Sequence, residues 1–100
     1  MLLFTVKTTG KDDNPCYQVQ ILHNDCPVDD APLFSRWPWI TEEFAKYCKA
    51  KGNQKGMRCK PHKFGSDITI YFHNITFWDI KYMAENFCHS RNEPLGMIQL

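Results

Sequence analysis

The sequence predicts a single α+β domain over residues 1–100: a small antiparallel sheet with two helices on one face, in the order ββαββα, plus a C-terminal tail or short strand. Three observations point there. Four runs alternate apolar and polar residues, two others repeat apolar residues every three to four positions, and these runs follow one another as strand, strand, helix, twice over. One hundred residues suit one domain, and 43% hydrophobic with 14% aromatic content supplies a core.

Leu2, Phe4 and Val6 alternate with Leu3, Thr5 and Lys7, as in a half-buried strand. Turn formers from Gly10 to Pro15 lead to a second alternating run, Tyr17, Val19 and Ile21 against Gln18, Gln20 and Leu22, so the two strands read as a hairpin. Asn24 to Trp39 holds Pro27, Pro32 and Pro38 without a consistent period and reads as a loop anchored by its aromatic residues. Thr41 is the expected N-cap of a first helix, with Glu42 and Glu43 facing the positive end of its dipole. Phe44, Tyr47 and Cys48 line its inner side down to about Lys51, and Gly52 suits the left-handed cap.

A third strand follows Gly56, with Met57, Cys59 and Pro61 against Arg58, Lys60 and His62. Pro61 has no amide proton for a ladder and assigns this strand to an edge or makes it short. Gly65, Ser66 and Asp67 form a turn before Ile68, Ile70 and Phe72, which alternate with Thr69, Tyr71 and His73. Thr76 and Asp79 resemble a capping box, and Ile80, Met83, Ala84 and Phe87 mark one face of a second helix to about Ser90. Asn92, Pro94 and Gly96 end it. Tyr17 to Asn24 and Asp67 to Asn74 share a faint echo ending in His-Asn, which as a repeat would imply two ββα units in one sheet.

No window approaches the roughly twenty apolar residues needed to span a bilayer, and the first residues lack a signal peptide's pattern. Cys16, Cys26, Cys48, Cys59 and Cys88 form an odd set without a regular framework, so reduced thiols and a cytoplasmic location are expected. No nucleophile elbow, phosphate loop or metalloprotease signature is present, and neither a cofactor nor enzymatic activity is expected.

The most distinctive stretch runs from Lys46 to Lys63, with seven of the twelve Lys and Arg residues and no acid. Lys46, Lys49, Lys51, Lys55, Arg58, Lys60 and Lys63 offer local positive potential that the net charge of +1 conceals. They are candidates for an anionic partner; a solvated face is the plainer alternative. Only the turn and the strand face shared by Arg58 and Lys60 are set to present charge outward, which puts Lys55, Arg58 and Lys60 first. Arg36, Trp37 and Trp39 form the second candidate, because tryptophan and arginine dominate binding hot spots and a proline-stiffened loop loses little entropy on docking. The alternative is that the indoles close over the core.

His23 with Cys26, and Cys59 with His62, have the separation of zinc-binding pairs, if the strand ends that carry them adjoin. Buried thiols and loop histidines are the alternative. These features lead to a non-enzymatic binding protein of the inhibitor, immunity or accessory kind, phage-like or mobile-element-like in size and style. It would act on a protein partner through the basic segment and the tryptophan loop. Self-association is open to it, and no membrane is involved. Direct binding of DNA or RNA through residues 46–63 is one alternative. A small hydrolase or nuclease built from dispersed histidines and acids is another.

Overall fold

The computed structural model describes residues 1–9, 16–24, 34–36, 38–52, 58–65 and 67–100. They form β1 (Leu2–Thr9), β2 (Cys16–Asn24), β3 (Phe34–Arg36), α1 (Pro38–Gly52), β4 (Arg58–Phe64), β5 (Asp67–His73), α2 (Phe77–Ser90) and β6 (Leu95–Gln99). The chain thus has the expected α+β class and ββαββα order, and the tail is a strand. No described helix is long and apolar enough to cross a membrane.

The strands lie in the spatial order β4-β5-β2-β1-β6, with β3 alongside β2. The sheet is mixed rather than wholly antiparallel, because β6 pairs parallel to β1. That follows from the connection. β5 and β1 both run against β2, and α2 carries the chain from β5 to the far edge, so the strand after the crossover runs as β5 does. β4 is an edge strand of seven residues, as Pro61 demands.

Register sorts the side chains. Leu2, Phe4 and Val6 stand opposite His23, Ile21 and Val19, and Tyr17 and Val19 opposite Phe72 and Ile70. This face is buried under both helices. Phe44 of α1 lies at its centre, fully buried, with ring centroids 4.9 Å from Phe4, 5.2 Å from Phe87 of α2 and 6.3 Å from Phe72. Ile80, Met83, Ala84 and Phe87 are all buried, as their spacing requires.

Three further expectations are corrected. The loop between Asn24 and Trp39 contains β3, whose Phe34, Ser35 and Arg36 pair with Asn24, His23 and Leu22. β5 pairs β2 only at Tyr17 to Val19, so the other half of that β2 edge would otherwise leave backbone donors and acceptors open. Second, α1 begins at Pro38 rather than after Thr41. Proline at the first helical position needs no amide partner and has its φ already set, and buried Ile40 ties that turn to the core. Thr41 is buried within the helix, and no acid lies in the first turn. Third, Gly96 does not end α2 but sits in β6, where a Cβ would lie 3.1 Å from the Leu3 side chain.

Helix α2 has the caps its sequence announced. Thr76 Oγ1 accepts from the Asp79 amide at 3.1 Å, and the Thr76 amide donates to Asp79 Oδ2 at 3.5 Å. Asn92, at φ +56°, closes the other end, where its amide donates to His89 O at 3.2 Å. The echo between β2 and β5 is out of phase: Val19 and Ile21 face the helices, whereas their echo partners Thr69 and Tyr71 face away.

Phe44→Ala is expected to cost about 3–5 kcal/mol, and Thr76→Ala about 1 kcal/mol. Urea unfolding of both variants checks the ranking, and a Phe44 variant no less stable than the Thr76 variant would contradict the placement of the core.

Candidate functional site

Both described helices cover one face of the sheet, and no helix among the described residues lies on the opposite, helix-free face. Its residues come from the alternate positions of each strand. Lys60 pairs with Tyr71, Tyr71 with Gln18 and Gln18 with Lys7, a continuous row across β4, β5, β2 and β1. Adjacent strands are separated by about 4.8 Å, so the two lysines bracket the ring and the amide across roughly 14 Å.

A second row flanks the first. Arg58 pairs with His73, whose Nδ1 lies 3.1 Å from Cys16 Sγ, and Cys16 pairs with Thr9. On the other side, His62 pairs with Thr69, and Gln20 Nε2 donates to Thr69 Oγ1 at 2.8 Å. The exposed His62 ring meets the half-buried Tyr71 ring edge to face, with centroids 4.8 Å apart. Lys7, Arg58 and Lys60 are exposed. Apart from Asp67, which starts β5 in register with Phe64 at the far end, the described acids lie on α1, on α2 or just after it.

The basic segment is therefore divided between layers. Lys46, Lys49 and Lys51 are exposed on α1, in the helical layer. Lys46 Nζ is 3.8 Å from Glu43, and Lys51 Nζ lies 5.9 Å from the centroid of the Tyr47 ring. Arg58 and Lys60 share the helix-free face, while Lys63 takes the phase of buried Cys59 on the helical side of β4. Lys55 lies outside the described residues. Lys7 belongs with Arg58 and Lys60 although it is about fifty positions away, and its place on the polar side of β1 was the only signal for it.

Trp37 lies outside the described residues, and Arg36 stands opposite Leu22 at the end of β3. Trp39 is 51% exposed, its ring 5.7 Å from the Arg91 guanidinium, beside a cleft of about 310 Å³ lined also by Leu2, Ile40 and Glu93. Trp78 and Tyr82 of α2 are more exposed, at 71% and 66%. They occupy one ridge at i and i+4, opposite the Ile80 to Phe87 stripe, a departure from helical polarity that a wheel of the sequence would have revealed.

Cys59 and His62 do not come together as a zinc pair. Cys59 is buried, with its thiol 3.8 Å from Ala45 O, whereas His62 is exposed on the other face, because residues three apart in a strand point oppositely. His23 is buried under the helices with Nε2 3.7 Å from Glu93 Oε1, and Cys26 lies outside the described residues. Nor do the described residues gather a catalytic histidine and carboxylate on the sheet face: His62 and His73 occupy separate rows, and His89 is exposed near the end of α2.

The thiols divide sharply. Burial pushes the Cys59 and Cys88 thiols up to about 11, with Glu93 adding to the effect at Cys88, and it also raises Cys48. Cys16 is half-exposed beside the His73 imidazole. Comparison with family models, characterised proteins and solved structures gives no match.

The buried thiols make stability pH-dependent. Each ionises in the unfolded chain near its ordinary value of 9.0 but stays protonated in the fold, so over that interval the unfolded chain binds fewer protons and stability falls as pH rises. The contribution is whole below about pH 9 and lost as pH rises through about 11. Cys88→Ala is expected to flatten this fall by up to one proton, about 1.4 kcal/mol per pH unit, in urea titrations between pH 9 and 11. An unchanged slope would contradict a buried thiol there.

Proposed function

We propose that this chain is a non-enzymatic binding protein whose ligand surface is the helix-free face of its sheet, and that its ligand is single-stranded nucleic acid. The carrying observation is the row Lys60–Tyr71–Gln18–Lys7, an aromatic ring and an amide bracketed by two cations. Arg58 adds a third cation one row away. Basic residues track a phosphate backbone, and a ring on a flat sheet offers a stacking platform that tolerates any base. Glutamine supplies both a donor and an acceptor to base edges. A duplex has its bases already stacked and would leave the Tyr71 and His62 rings unused.

The near-neutral net charge is compatible with this, because the described acids sit mostly in the helical layer. An acidic protein surface would satisfy the cations but gives Tyr71 and His62 no distinctive task. A protein partner finds separate support in exposed Trp39, Trp78 and Tyr82, which lie on the helices and not on this face.

Fluorescence anisotropy with a short labelled single-stranded oligonucleotide tests the proposal. Three phosphate contacts are expected to give a slope of about −2 in log K against log salt. Lys7→Gln/Arg58→Gln/Lys60→Gln should reduce that slope towards zero, whereas Lys46→Gln/Lys49→Gln/Lys51→Gln should leave it unchanged. Tyr71→Leu should weaken binding by about tenfold at constant slope, the equivalent of one lost stacking contact. Absence of binding at low salt, equal loss from the α1 variant, or an acidic peptide competing as well as the oligonucleotide would overturn it.

A further inference from the structure

We propose that Cys16 is a nucleophilic thiol activated by His73, and that it accepts anionic low-molecular-weight disulfides to form a mixed disulfide on the helix-free face. This is independent of whether the face binds nucleic acid. The thiol sulfur lies 3.1 Å from His73 Nδ1, within hydrogen-bond reach, although the two residues are fifty-seven positions apart. They are brought together by the antiparallel pairing of β2 and β5, which runs from Val19–Ile70 to Tyr17–Phe72 and places Cys16 beside His73 in the next row. Nucleophile and base within hydrogen-bond reach, both half-exposed, are what thiolate chemistry needs. The other described cysteines lack this: Cys48 of α1, Cys59 of β4 and Cys88 of α2 are buried in the core.

The surroundings select the electrophile. Arg58 stands directly across from His73 and Lys60 in the next row of β4; Tyr71 comes from β5 and Lys7 from β1. The segment between β1 and β2, with Asp12 and Asp13, lies outside the described residues. Cations on the same face attract a carboxylate-bearing disulfide over a neutral or cationic one.

The step balances without a further redox partner. The Cys16 proton passes to His73, the thiolate attacks one sulfur of the disulfide, and a new S–S bond forms as the old one breaks. The departing thiolate takes the proton from the imidazolium. The disulfide is the oxidant: one of its sulfurs leaves reduced as a thiol, and Cys16 is oxidised.

The rate of mixed-disulfide formation at Cys16, located by tandem mass spectrometry, tests this, with oxidised glutathione as the anionic probe and cystamine as the cationic one. At pH 7 the wild-type rate is expected to exceed that of His73→Gln by about tenfold, the loss of a positioned base, with urea unfolding showing that the variant is folded. Oxidised glutathione should react about tenfold faster than cystamine at low salt, and Arg58→Gln/Lys60→Gln, exposed substitutions that spare the core, should erase that preference. The wild-type preference between the two probes needs no variant to fold. A Cys16 rate unchanged in His73→Gln, an adduct confined to Cys26, or equal rates with the two probes would overturn the proposal.

Discussion

Phe44 is where the two layers of this protein meet. Its ring lies against Phe4 and Phe72 of the sheet and Phe87 of the second helix, so a single side chain on α1 connects three separate segments. The hydrophobic gain from that burial depends on β1, β5 and α2 all being in place, which makes the core cooperative rather than modular. One consequence is architectural. A chain of 100 residues has enough apolar material for two layers, and with both helices spent on one face the other must satisfy itself with water. The polar face of the sheet is therefore a product of the same packing that holds the molecule together.

Much of this was legible in the sequence because it depends on local periodicity. Leu2, Phe4 and Val6, or Ile68, Ile70 and Phe72, show their inward phase without reference to any partner. The capping pair Thr76 and Asp79 is equally local, since both hydrogen bonds close within three residues. What could not be read required knowing which strands are neighbours. β3 exists because β5 leaves part of β2 uncovered, a fact about pairing that residues 34–36 do not carry themselves. The start of α1 was misplaced because Thr41 is a good cap in isolation, while the tertiary contact made by Ile40 extends the helix back to Pro38.

The candidate site shows the same division. Adjacent charges in the sequence suggested one basic surface, yet a helix followed by a strand distributes them to different layers, with Lys49 and Lys51 on one side of the sheet and Arg58 and Lys60 on the other. Conversely, Lys7, Gln18, Tyr71 and Lys60 meet only because four strands align in register. The Cys16–His73 contact is the extreme case. Alternation places His73 among the polar positions of its strand and says nothing of Cys16, so their adjacency is a property of the β2–β5 ladder alone.

Among the described residues β4 and β6 end the main strand order, and these two margins are built differently. On β6 and just after it lie exposed Ile98 and Leu100. On β4 the margin carries Arg58, Lys60 and Lys63, and Pro61 interrupts its amide series. A foreign strand approaching β4 would meet crowded positive charge and a gap in the donors it needs, so this border resists templating by another chain. Arg58 and Lys60 thus act in two directions at once: across the sheet they colour a surface, and along its rim they keep the sheet from growing.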